Sequence, residues 1–253
     1  MLERAVATSP NGIAQLPQAS QDSHDAAPVT TIGLQPFARA DLEHGSPRLL
    51  ARGRWANAVV NLFDHGGTTW VVKDFRERSF LVRNLIGRLL VRREARSLAR
   101  VNGLPHMPQG VFRIDAHALA YRYVPGRSLR GKPPYVPGPE YFPALERALA
   151  TLHQQAGLAH FDLRNAKNLL VTDAGEPLVL DFQSAFGTGW MPGPLRRFAE
   201  QVDFAAIYKH WQKRSPESLG PERLAALGVM NRLRPLWVVR GYIGAPGPGK
   251  PRT

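Results

Sequence analysis

The sequence predicts an α+β fold in two lobes, a β-rich first half followed by a mainly helical second half. Three observations carry this. Apolar and β-branched residues cluster over 49–62 and 68–75, on either side of the turn-forming Asp64-His65-Gly66-Gly67. Further strand-like stretches at 110–113 and 118–124 close at Pro125-Gly126, a turn signal. Beyond that point Phe142, Leu145, Leu149 and Leu152 recur at helical spacing.

The remaining elements follow from the same patterns. Residues 79–101 carry an amphipathic helical repeat inside the β-rich half. Two short apolar runs flank Asp173-Ala174-Gly175-Glu176 and read as a hairpin. Helices are expected over 195–214 and 221–240. Residues 1–45 are rich in Ala, Ser, Pro, Gln and Asp without periodicity and read as a flexible tail, with a short ordered piece near 31–37. Residues 241–253 read as a second tail. The expected organisation is therefore a tail over 1–45, an N-lobe over 46–124, a minimal C-lobe over 125–240 and a tail over 241–253.

Composition narrows the function classes. The chain has 253 residues, 43% of them hydrophobic, enough for a substantial core. It has no cysteine, which excludes a disulfide framework, a thiolate metal site and a cysteine nucleophile. No run approaches a membrane span, and the first residues lack a secretion-signal pattern, so a cytoplasmic protein is expected. The net charge of +13 attracts polyanions: nucleic acid, an anionic membrane face or phosphorylated substrates.

The chemistry is concentrated in one stretch. His160-Phe161-Asp162-Leu163-Arg164-Asn165-Ala166-Lys167-Asn168 lies between a helix and a hairpin, a loop held by rigid neighbours. Asp181 follows the apolar Leu178-Val179-Leu180 at the end of the second hairpin strand. A carboxylate there is costly to bury unpaired and calls for a cation. Asp and Asn oxygens are the hard ligands that Mg²⁺ prefers. Upstream, Trp70-Val71-Val72-Lys73 is a β-rich stretch ending in a cation. On the 79–101 helix, Leu90, Glu94, Leu98 and Val101 share one face, while Arg88, Arg92, Arg96 and Arg100 form a stripe on roughly the opposite side. A lone Glu on an apolar face needs a buried partner, and Lys73 is the obvious one.

These residues together resemble the protein-kinase superfamily. H-F-D-L-R-N-A-K-N and D-F-Q stand in place of the catalytic loop and the D-F-G motif, W-V-V-K in place of the lysine strand, and Glu94 in place of the helix glutamate. The resemblance implies a two-lobed protein-kinase-like fold and an ATP-dependent phosphotransferase using Mg²⁺. It makes Asp162 the acceptor of the substrate hydroxyl proton, and Arg164 and Lys73 the groups that steady the phosphates. Glu94 would hold Lys73, and Asn168 and Asp181 would be the metal ligands. Gly53 and Val60, in Gly53-Arg54-Trp55-Ala56-Asn57-Ala58-Val59-Val60, would form the phosphate-covering loop, which keeps only the first glycine of the usual pattern. Tyr123 and Val124 would be the inter-lobe hinge whose backbone meets adenine. Asn168 stands one position further from Asp162 than usual, so Asn165 is the alternative ligand, and Gln183 replaces the last glycine of D-F-G. Asp203 would brace the catalytic loop from the next helix.

The short segment after Asp181 lacks an A-P-E anchor and resembles the atypical bacterial kinases, with the lipopolysaccharide core (Kdo/heptose) kinases and the RIO-type kinases nearest. That resemblance covers roughly 48–215. It implies a hydroxyl acceptor on a lipopolysaccharide-core sugar or on a protein. The basic surface would contact the inner, anionic membrane face or, as the lesser expectation, RNA. A nucleotide-binding pseudokinase or scaffold is the alternative.

Overall fold

The computed structural model describes residues 35–53, 57–131 and 134–233. The first part is an antiparallel five-stranded sheet in the order β1-β2-β3-β5-β4, formed by β1 (Arg48–Ala51), β2 (Val59–His65), β3 (Thr68–Asp74), β4 (Phe112–Arg113) and β5 (Ala118–Arg122). The β2–β3 turn is tight because Gly66 and Gly67 both take positive φ, 57° and 71°. This is the hairpin geometry whose twist matches the flanking strands. The strand expected over 49–62 is two strands instead. Gly53 interrupts it at φ 63°, and a Cβ there would come within 2.6 Å of the Ala58 carbonyl oxygen.

Register assigns the two faces of the sheet. Val60 pairs with Lys73 and Leu62 with Val71 across β2–β3, and Lys73 pairs with Leu119 and Val71 with Tyr121 across β3–β5. This face packs on α2 (Arg88–Val101), which buries Val91, Glu94, Ala95, Leu98 and Val101. The opposite face carries Phe63, Trp70, Val72, Ala118 and Ala120.

The segment covering that opposite face corrects the expectation of a flexible tail up to residue 45. Residues Arg39–His44 form a short helix, α1, and Phe37 and Leu42 are buried. The Phe37 ring meets Phe63, Trp70 and Phe112 edge-on at 4.9, 5.7 and 5.0 Å. Arg39 pairs with Asp74 and, at 2.8 Å, with Asp115. The aromatic cluster supplies the driving force that the polar composition of this region hides. Residues 1–34 lie outside the described residues.

The second part is built on α3 (Tyr141–Thr151), α4 (Gly193–Arg214) and α5 (Pro221–Leu233). The expected hairpin is β8 (Leu169–Thr172) and β9 (Pro177–Val179), which β6 (Gly126–Ser128) joins as a third strand. A two-stranded ladder of β7 (Leu158–Ala159) and β10 (Phe186–Gly187) flanks the loop between them. Arg223 of α5 grips Glu146 of α3 through two nitrogens, at 2.9 and 2.8 Å, and lies 4.9 Å over the Trp211 ring of α4. The helix expected over 221–240 is described as far as Leu233, and the expected tail at 241–253 lies outside the described residues.

Candidate active site

Strand alternation aims Lys73 at α2, and the helical period aims Glu94 back at the sheet. The Lys73 ammonium lies 2.5 Å from the Glu94 carboxylate and 2.9 Å from that of Asp181. Lys73 is 7% exposed and Glu94 1%, so neither charge is solvated by bulk water. Burial alone would depress the Lys73 ammonium, but Asp181 and Glu94 outweigh it and hold it well above its ordinary range. For Asp181 burial works upward, and the adjacent Lys73 more than reverses it, keeping the carboxyl below the usual carboxylate range.

Asp181 reaches Lys73 from the hairpin. The ladder pairs Leu169 with Val179, and the Leu180 amide donates to the Asn168 carbonyl at 2.8 Å. Asn168 thereby lies opposite Leu180, and Asp181 is the next residue along. Asp181 itself adopts φ 66°, a left-handed conformation that costs about 1–3 kcal/mol outside glycine. Gln183, in the 3₁₀ turn Phe182–Ser184 after it, sets its side chain near Glu94 and its backbone amide near Asp181, and works to lower both carboxyls. Arg93 of α2 donates to the Ala185 carbonyl at 3.2 Å. The helix bearing Glu94 is thus tied to the turn bearing Asp181. The contribution of Gln183 was not apparent in sequence, where it read only as a missing glycine.

The loop 160–168 is held from below. Asp203 of α4, 0% exposed, accepts hydrogen bonds from the backbone amides of His160 (2.6 Å) and Phe161 (2.9 Å) and from His153 Nε2 (3.1 Å). It fastens the one bulky residue of the loop in a left-handed conformation, Phe161 at φ 63°. His160 donates from Nε2 to the Leu180 carbonyl at 3.0 Å, which leaves Nδ1 to accept the Asp162 amide at 3.3 Å. It therefore bridges loop and hairpin. His210, one helix turn from Ile207 on α4, reaches the Leu163 carbonyl at 3.0 Å.

Asp162 is half-buried. Burial raises its carboxyl, Asn168 opposes the shift and Asp181 adds to it. Asn168 is 3% exposed and its Nδ2 donates to Asp162 Oδ2 at 2.9 Å and to the Asp162 carbonyl at 3.0 Å. Both neighbours are pure acceptors, so the amide nitrogen must face them and the amide oxygen is left for a cation. The Asn165 oxygen instead accepts the Lys167 amide at 3.3 Å and caps the 3₁₀ turn Ala166–Asn168. Arg164 is exposed on the same loop.

Lys73, Glu94, Asp181, Asn168 and Asp162 thus form one connected set that draws on the sheet, α2, the hairpin and the loop. The fold is α+β, a sheet-built first part followed by a mainly helical second part, as the sequence predicts. Among the other expected residues, Val60 lies on the Lys73 face of the sheet, and Gly53 begins the β1–β2 loop, whose residues 54–56 lie outside the described residues. Tyr123 and Val124 follow β5 directly. The Tyr123 amide donates to the Thr69 carbonyl at 2.9 Å, so a base at this hinge must use other backbone atoms. Tyr121, which the sequence reading did not single out, is buried beside Lys73, and burial pushes its hydroxyl up to about 12.

Comparison with known proteins adds little detail. No family model matches the chain, and no curated protein matches it in sequence. Among solved structures, the crystal structure of the Rio2 kinase-ADP/Mg²⁺-phosphoaspartate complex from Chaetomium thermophilum is similar, with a TM-score of 0.49 and 18% identity. The match covers 75% of this chain and 63% of that one.

His210 gives this site a pH signature. Burial, with Arg214 beside it, lowers its imidazole to about 4 from the ordinary 6.5. The unfolded chain therefore binds a proton between those values that the folded chain does not. Stability is fully present above 6.5 and falls as pH drops toward 4, by up to about 3 kcal/mol. Denaturant melts across that window are expected to show this slope, and His210→Gln, which keeps an N–H donor, is expected to flatten it.

Proposed function

We propose that this protein is an ATP-dependent kinase that moves the γ-phosphoryl group to a hydroxyl acceptor. The observation that carries the reading is the buried Lys73 held between Glu94 and Asp181. Two carboxylates, one from α2 and one from the end of the hairpin, fix one ammonium of the sheet, an arrangement suited to bind and orient the phosphates of a nucleotide. Their spacing in the sequence, 21 residues to Glu94 and 108 to Asp181, has no local structural explanation.

In this reading the acceptor hydroxyl lies against Asp162. The raised carboxyl of Asp162 takes up its proton as the oxygen attacks the γ-phosphorus in line with the departing ADP oxygen. Asn168 keeps one Asp162 oxygen occupied, which turns the other toward the acceptor. Lys73 and Arg164 balance the charge of the transferring group. Asp181 and the Asn168 amide oxygen would hold Mg²⁺, since both are hard oxygen donors of the kind that ion prefers. The ion would neutralise phosphate charge. Asn165, engaged in the turn, fits less well.

The acceptor class proposed is a lipopolysaccharide-core sugar or a Ser/Thr side chain. Incubation of the full chain with γ-labelled ATP and a bacterial extract, followed by separation of lipid and protein fractions, tests both parts. Label in the lipid fraction supports the sugar and label in the protein fraction supports the side chain. Label in neither contradicts the kinase reading and favours a nucleotide-binding scaffold.

A further inference from the structure

We propose that the first turns of the helix bearing Glu94 dock this protein onto an anionic membrane surface. The inference stands independently of the phosphotransfer reading. Phe80, Leu81, Leu85 and Leu89 are exposed by 70, 68, 67 and 66%, and Ile86 by 38%. A cluster of large apolar side chains in water is costly for a monomeric surface and marks a contact site.

Local geometry gathers these residues on one side. Val82–Gly87 is a π-helical turn, in which hydrogen bonds run from i to i+5. Residues five apart, Phe80 with Leu85 and Leu81 with Ile86, are thereby brought closer into line than in an α-helix. Leu85 and Leu89 are four apart and adjacent on the surface. The opposite side buries Val82, Gly87 and Val91. Gly87 lies flush on Phe75, whose ring carbon would be 2.8 Å from an added Cβ, so the helix is seated firmly with its apolar stripe outward.

Charge identifies the occupant. Between residues 78 and 93 the chain carries Arg78, Arg83, Arg88, Arg92 and Arg93 and no acidic residue. The stripe continues from Leu89 at helical spacing into Arg92 and Arg96, which with Arg113 line a cleft of about 480 Å³ that has no acidic side chain. Apolar side chains flanked by arginines suit an interface with acyl chains below and anionic headgroups around. A two-fold contact with a second copy would set these arginines against one another with no carboxylate to pair them. RNA would leave the leucines without a partner, since stacking needs aromatic rings and Phe80 is the only one between residues 78 and 93. Among the described residues no helix is long and apolar enough to cross a membrane, so the contact is peripheral.

Co-sedimentation of the full chain with phosphatidylglycerol/phosphatidylcholine vesicles, and with phosphatidylcholine alone, tests this. Pelleting is expected with the anionic vesicles only and is expected to weaken with salt. The double variant Leu85→Glu/Leu89→Glu is expected to lower partitioning by at least about tenfold, with an unchanged thermal melt because both side chains are exposed. A second variant, Arg83→Gln/Arg88→Gln, keeps the apolar stripe and is expected to lose the preference for anionic vesicles. Wild-type protein that stays in the supernatant, or pellets equally with both vesicle types, overturns the proposal. So does a double Glu variant that binds vesicles as wild type does, or one whose only change is a smaller mass in light scattering or lost RNA retention.

Discussion

Asp162→Ala is expected to lower phosphoryl transfer by about 10²–10⁴-fold while ATP binding persists. The geometry separates the two effects. Asp162 touches Asn168 and the loop backbone, whereas the cationic grip on the nucleotide is assigned to Lys73, held by Glu94 and Asp181. Asn168 keeps one of its two acceptors, the backbone carbonyl of residue 162, so it is expected to stay in place. Rates with γ-labelled ATP and calorimetric titration with ATP check the two halves. Equal loss of binding and turnover would move Asp162 from proton acceptor to structural support.

The largest stability loss is expected for Asp203→Ala. Its carboxylate is the common acceptor for His160, Phe161 and His153, of which the two histidines are buried and Phe161 half-buried. Alanine would leave those donors buried without partners and would release Phe161 from its left-handed conformation. The cost is expected to be about 3–5 kcal/mol, a large part of the stability of an ordinary domain. Chemical denaturation measures it directly. Asp203→Asn, which keeps an acceptor oxygen, is expected to recover part of the loss. A destabilisation below about 1 kcal/mol in the alanine variant would mean the loop is held by other contacts.

Much of the site was legible because its residues violate local expectation. Lys73 ends an apolar strand and Glu94 sits on an apolar helix face, and each anomaly is explained by the other at 2.5 Å. The strands and helices of the core were readable for a similar reason, since period and turn chemistry agree there. Three features were not. The Phe37 segment lies in a polar, aperiodic stretch, and only the tertiary aromatic cluster with Trp70 and Phe112 orders it. The bracing by Gln183 and His210 uses side chains that carry no signal by residue type or spacing. The short strands β6, β7 and β10 are two or three residues long and exist only through their partners, so no periodicity could announce them. That the Tyr123 amide of the expected hinge is taken by Thr69 depends on strand register, which composition does not contain.

The most direct test of the central reading is ATP turnover by wild-type protein and Asp181→Ala side by side, with and without Mg²⁺. Asp181 joins the two halves of the site, as a partner of Lys73 and as the carboxylate that fits the ion. The expected result is turnover in the wild type only when Mg²⁺ is present, and background turnover in the variant under both conditions. Substantial Mg²⁺-dependent turnover by Asp181→Ala would contradict the assignment of this residue and, with it, the phosphotransfer site built around it.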